Sequence, residues 1–267
     1  MKTKQKQTNR ILNCLPSKDV QNDFSFKDAM TTGFVNAVQI PASVDLRESW
    51  WQVNNQGSTG SCLGWALADS LLRWHFVNNK FITKDELLSV RFIWMASKET
   101  DVFTDRPTTF IEEAGTSLKA ALDIARKYGC VKDSDLPFNS RLMYDDSENT
   151  FYALASRFKI ANYFNLVNGI TDRVSIWKNW IADGNGPILV RLDVDATWDN
   201  ATQTNGNLDA YDPSNTRGGH AVAIVGYTEE RLIIRNSWDD SWGDGGFAYA
   251  SFSYAENAFT EAYGVTI

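Results

Sequence analysis

The chain has 267 residues, of which 43% are apolar, and a formal net charge of −7. That is enough apolar material for one large domain or two lobes around a real core. The acidic balance disfavours nucleic acid and anionic membrane as partners, because both select a basic surface, and no apolar run reaches the roughly 20 residues that span a bilayer.

Residues 1–16 are too polar for a signal-peptide core, so the expected location is the cytoplasm, or outside it by a route that uses no such signal. Cys14, Cys62 and Cys130 are far apart and odd in number, which argues against a disulfide framework and suits a reducing compartment. With His75 and His220 as the only histidines and no C-x-x-C pair, a zinc site lacks ligands. No metal or other cofactor is expected.

Residues 1–40 are polar and weakly patterned and read as an extension ahead of the compact body, which is expected to span 41–267. The stretch 54–60, NNQGSTG, has loop chemistry. From Cys62 to Phe76 the sequence CLGWALADSLLRWHF is apolar on nearly every face, as a helix at a protein's centre must be. A second helix is expected from the N-cap Ser117 to Tyr128, with Gly129 as its stop. The second half turns to strands at 188–194, 221–227 and 232–235, the last two joined as a hairpin, with a further strand near 247–252. Helices first and strands later predict an α+β fold of two lobes, mainly helical over about 41–155 and mainly β over about 156–267, rather than an alternating βαβ sheet.

A lone cysteine is more often an inert buried thiol than a nucleophile. Cys62, however, stands where a glycine-rich loop enters a long helix, and there free amide groups and the helix dipole favour a thiolate. Such a nucleophile needs an acid for its leaving group. His75 lies thirteen residues along the same helix, about 20 Å away, and reads as a helix-face residue. His220, at the start of a strand after Gly218 and Gly219, is the remaining base. Folding the hairpin about Glu229 and Glu230 returns Asn236 toward His220, where an amide oxygen can orient the imidazole; without that context Asn236 is a strand-end turn residue. Gln56, otherwise a loop glutamine, can aim its amide at an oxyanion beside the Cys62 N–H.

The segments QGSTGSCLGW (56–65), PASVDLR (41–47) and NSWDDSWGDGGF (236–247) together resemble the papain family of cysteine peptidases, over roughly 41–255 and only loosely in 130–185. The resemblance implies a helical left lobe and a β-barrel-like right lobe, with Cys62, His220, Asn236 and Gln56 as catalytic set in the cleft and a peptide or protein as substrate. It implies that Trp238 shields the Asn236–His220 bond, that Trp242 lines the leaving-group side, and that Gly115, Thr116 and Gly219 lie along the substrate. Several positions depart from the family pattern: Thr59 and Leu63 replace a cysteine and an aromatic around the nucleophile, Thr116 a second glycine, and Asp239 and Ser241 common glycines. The short extension, with Leu15-Pro16 and Asp23-Phe24-Ser25-Phe26, is similar to bacterial and archaeal members and is expected either to cover the cleft or to lie as a surface arm. Cys14 within it is available to pair with Cys62.

Three rival readings share these residues. The same catalytic set serves transamidation, deamidation or modifier removal. Gly60-Ser61-Cys62-Leu63-Gly64 also fits G-x-C-x-G, the elbow of an α/β-hydrolase, if a strand precedes it. A non-enzymatic binding protein that kept the fold is the third.

Overall fold

The computed structural model describes residues 10–101, 111–140 and 148–267; the first nine residues of the expected extension lie outside them. After a nine-residue strip from Arg10 to Lys18 the chain forms α1 (Phe26–Thr31), started by a reciprocal cap in which Ser25 and Asp28 satisfy each other's backbone N–H groups. A short β1 (Val44–Asp45) follows.

The expected central helix is present in three consecutive pieces, α2 (Cys62–Gly64), a wider stretch Trp65–Leu72, and α3 (Arg73–Asn78). In the middle piece the backbone bonds skip five residues, as from Arg73 N–H to Ala68 O, the π form of helix. Both α4 (Val90–Thr100) and α5 (Leu118–Lys127) pack beside it. As the sequence predicts, Ser117 caps α5 through Ala120 N–H and Gly129 ends it with an N–H bond to Ile124 O.

Beyond α6 (Glu148–Ala155) come β2 (Asn162–Asn165), α7 (Arg173–Ala182), β3 (Ile188–Asp195), β4 (Asn207–Leu208), β5 (Thr216–Tyr227), β6 (Arg231–Arg235), β7 (Phe247–Ser251), α8 (Phe252–Ala258) and β8 (Phe259–Thr266). The sheet runs β2-β8-β3-β5-β6-β7-β4, with β1 on β5, and every pairing is antiparallel except β4 with β7. The fold is α+β, as expected, but the sheet has two ends rather than closing into a barrel.

Why β3 and β5 read as nearly unbroken apolar runs is explained by two cores, one on each face. Leu189, Ala221, Ala223 and Val225 join the helices of the first half, whereas Val190, Leu192, Val222 and Ile224 face a second core with α1, α7 and α8. A strand buried on both faces loses the alternation of a half-exposed one. Phe26, Ala29 and Val35 belong to the second core, so the part of the extension around α1 is built into the body while residues 10–18 lie along it.

One buried ion network joins the helical half to the sheet. Arg235 at the end of β6 meets Asp69 of the central helix at 2.7 Å, donates to Ser70 Oγ and Gln52 O, and lies over the Trp51 ring; Arg73 holds the other carboxylate oxygen of Asp69 at 3.3 Å. Removing one partner of a buried pair strands the other's charge. Arg235→Met is therefore expected to lower unfolding free energy by about 3 kcal/mol, the low end for such losses because Arg73 remains, as urea denaturation will measure.

His75 sits on α3, buried, with its Nε2 unpartnered among the described residues. Burial pushes its imidazole from 6.5 down to about 4. The unfolded chain thus takes up this proton at higher pH than the folded one, so the stability involved is complete above pH 6.5 and lost as pH falls toward 4. His75→Leu is expected to remove about 3 kcal/mol of acid destabilisation between those limits, seen as a flatter plot of unfolding free energy against pH.

Candidate active site

Cys62 is the first residue of α2, entered from a turn with no side-chain cap, so the first amide groups of the helix are left for the cleft. Residues 54–59 form loop with a single bridge, Asn55 to Trp238. No strand leads into Cys62, which removes the α/β-hydrolase elbow.

His220 comes from the facing wall, on β5 opposite Leu192 of β3. The β5–β6 hairpin pairs Ala223 with Arg235, and continuing that register sets Trp238 across from His220, with Asn236 two residues inward, across from Val222. His220 Nε2 and Asn236 Oδ1 are 2.8 Å apart. Asn236 Oδ1 also accepts from Ser237 N–H, which fixes the amide with its oxygen toward the ring. The Trp238 ring covers the imidazole at 4.8 Å between centroids, and Trp238 and both members of the pair are buried.

The Cys62 thiol is buried, and burial alone would raise its pKa. It lies instead well below the ordinary value, held there by a hydrogen bond from the Cys14 thiol, by hydrogen bonding to His220 and its charge, and by the Ala221 N–H. Cys14 moves the other way, well above the ordinary value, through the same bond and through burial. Both cysteines are free rather than joined in a disulfide.

Gln56 is buried as well. Its Oε1 accepts from Trp238 Nε1 at 3.2 Å and Ser237 Oγ at 2.9 Å, which turns its Nε2 toward Thr59 O at 3.0 Å and Ile11 O at 3.5 Å. An orientation locked on one side in this way is what a preorganised oxyanion donor needs.

Residues 10–17 occupy the groove between these walls. Arg10 donates to Asn55 Oδ1 and Trp238 O, and its guanidinium lies over the Trp238 ring. Cys14 N–H bonds Gly219 O at 2.9 Å, Leu15 N–H bonds Thr116 O at 3.0 Å, and Ser17 N–H bonds Glu261. A side chain at Gly115 or Gly219 would collide with Asn13 or Cys14 backbone atoms, so both glycines are needed for the strip's close approach. Thr116, where the family pattern has glycine, bonds Asp101 through its hydroxyl while its carbonyl accepts the Leu15 N–H. Asp239, at another glycine position, takes φ +78° and bonds Asn55 and its neighbour's N–H, a backbone state that aspartate tolerates.

Sequence reasoning missed Trp198 and Arg191. Trp198 stands edge-on to His220 and stacks on Trp242 at 5.0 Å, and its carbonyl accepts Trp242 Nε1–H. It comes from a 3-10 turn, Ala196–Asn200, after β3, and no spacing in the sequence ties it to the site. Arg191 donates from Nε to Cys14 O at 3.0 Å; an arginine within an apolar strand run was the available signal.

Residues 40–263 match the profile described as papain family cysteine protease. The chain belongs to the papain family of cysteine proteases. Fruit bromelain of Ananas comosus is 25% identical over 223 residues, 80% of this chain, which spans 55% of that protein's length. Macrodontain-1 of Ananas macrodontes is 28% identical over 78% of this chain and 87% of its own. Among solved structures, xylellain, a cysteine protease from Xylella fastidiosa, superposes with a TM-score of 0.75 at 20% identity and covers 98% of both chains. Because that match covers nearly the whole chain, the shared fold takes in much of the N-terminal strip as well as the body. No helix among the described residues is long and apolar enough to cross a membrane.

Proposed function

We propose that the chain is a cysteine peptidase whose catalytic domain is built on residues 41–267 together with α1, which packs into its second core, and whose residues 10–17 cover the cleft as an inhibitory segment. The observation that carries this reading is the 2.8 Å contact of His220 Nε2 with Asn236 Oδ1 on the wall facing Cys62 at the head of α2, whose thiol pKa is drawn below its ordinary value. Cys62 Sγ attacks a peptide carbonyl carbon, and the charge that develops on its oxygen is taken by Gln56 Nε2–H and Cys62 N–H. His220 gives its proton to the departing amine, then accepts one from the water that hydrolyses the thioester. Trp238 and Trp198 keep bulk water from the His220–Asn236 bond.

The strip's direction supports an inhibitory role. By family resemblance Trp242 marks the leaving-group side and Gly115 binds substrate backbone at the other end. The strip begins at Trp238 and ends at Thr116, the reverse of a substrate, whose acyl part precedes its leaving amine. A reversed chain fills the groove without offering a cleavable bond in register.

Gln56→Glu tests the oxyanion assignment, because it keeps the oxygen that Trp238 and Ser237 bond but replaces the donor. With residues 1–16 removed, the variant is expected to lose about 10²- to 10³-fold in kcat with little change in KM, read on a fluorogenic peptide. Equal activity would remove Gln56 from the mechanism.

A further inference from the structure

The inhibitory strip places a second sulfur on the nucleophile. Cys14 is held from both sides of its backbone, by Gly219 O on its N–H and by Arg191 Nε on its carbonyl, while its neighbour Leu15 is tied to Thr116. Its side chain, buried like that of Cys62, lies in the same core cluster, anchored on Gly219 next to His220, and the two thiols shift each other's acidity in opposite directions. A serine here would block the cleft through the same backbone bonds. Only a thiol can also make a covalent link.

We infer that Cys14 is a resolving cysteine, and that peroxide converts the strip from a reversible cover into a disulfide-locked one by joining Cys14 to Cys62. This rests on the reading of residues 10–17 as an inhibitory segment. In the first step the Cys62 thiolate attacks one oxygen of hydrogen peroxide; the O–O bond breaks, Cys62 becomes a sulfenic acid and hydroxide leaves. In the second, Cys14 sulfur attacks the sulfenic sulfur; the S–S bond forms, the S–O bond breaks, and the thiol proton of Cys14 leaves with the oxygen as water. Peroxide is the oxidant and both sulfurs are oxidised. Small thiols reverse the link by exchange, which returns both cysteines to the reduced pair seen in the structure. Cys130 takes no part: its S–H bonds Ser89 O and Val131 O inside the helical core, and burial pushes its pKa up.

The link also protects the nucleophile. A sulfenic acid with no nearby thiol is open to further oxidation to sulfinic acid, which small thiols do not reverse. Cys14 intercepts it.

The test uses the full chain, reduced, freed of reductant, treated with hydrogen peroxide, blocked with maleimide and digested with trypsin without reduction. Trypsin yields Cys14 in peptide 11–18, Cys62 in 48–73 and Cys130 in 128–132. The expected product is 11–18 joined to 48–73, absent when the chain is unfolded in guanidinium before oxidation is matched for time, and dispersed by dithiothreitol. In Cys14→Ser the same treatment is expected to carry Cys62 to sulfinic acid that dithiothreitol leaves unchanged. Cys62 over-oxidised in the unmodified chain while Cys14 stays a free thiol would overturn the inference, as would equal linkage in the unfolded control. Because the readout is a peptide mass, it separates this claim from the peptidase reading: a link without peptide turnover sustains the lock and sinks the peptidase, and turnover without a link does the opposite.

Discussion

Cys62→Ala and His220→Ala each abolish turnover of a fluorogenic peptide by the chain lacking residues 1–16, a loss of roughly 10⁴- to 10⁶-fold in kcat, as expected when one member of a catalytic unit is removed. The two variants fail for different reasons, which can be told apart. Without Cys62 no acyl-enzyme forms. Without His220 the nucleophile loses its hydrogen bond and the opposing charge, two of the causes that hold its pKa below 9.0. In the truncated chain, which has also lost the Cys14 thiol, the largest of those causes, alkylation of Cys62 by iodoacetamide is expected to run at lower pH than in its His220→Ala variant. Asn236→Ala is expected to fall less far, because it loosens the ring without removing the proton carrier. An undiminished rate in either first variant would refute the assignment of that residue.

Removing residues 1–16 raises kcat/KM on the same peptide by about 10²-fold, with little effect on kcat at saturating substrate. Cys14 and Leu15 make backbone bonds to the cleft walls, Arg10 bonds Asn55 and Trp238, and Arg191 holds Cys14 O. A net worth of about 1 kcal/mol for each of three of these, after ordering costs, leaves the open form near one in 10². Substrate competes with that cover, so the effect falls on apparent binding rather than on chemistry. The cut point matters: Asp23 bonds Tyr263 and Lys119, and α1 supplies Phe26 and Ala29 to the second core. Deleting residues 1–40 whole would confound release of the cleft with loss of core packing. An unchanged kcat/KM in the shorter truncation would mean that residues 10–17 do not inhibit.

Much of the site was legible because its parts obey local rules. Cys62 stands out as the point where loop chemistry gives way to an all-round apolar helix, and His75 is excluded by arithmetic along that helix. The hairpin carries Asn236 back to within two residues of the position across from His220. What was not legible depends on strand order and on long-range docking. Trp198 reaches His220 because β3 lies next to β5, and β8, last in the sequence, inserts between β2 and β3; neither neighbour relation leaves a periodic trace. The wide winding of Trp65–Leu72 likewise has no marker such as proline or glycine. The strip of residues 10–17 looks like a polar tail because its groups are satisfied by bonds to distant walls, at Gly219, Thr116 and Glu261. A sequence pattern records burial of side chains, and this segment is held largely by its backbone.

The most direct test of a Cys62 nucleophile served by His220 beneath a removable cover is stoichiometric labelling with a peptidyl epoxide, followed by peptide mapping. The chain lacking residues 1–16 is expected to take one equivalent on Cys62 and none on Cys130, the full chain to react more slowly at the same residue, and His220→Ala to react scarcely at all. Labelling that ignores Cys62, or proceeds equally fast with and without His220, would contradict the account.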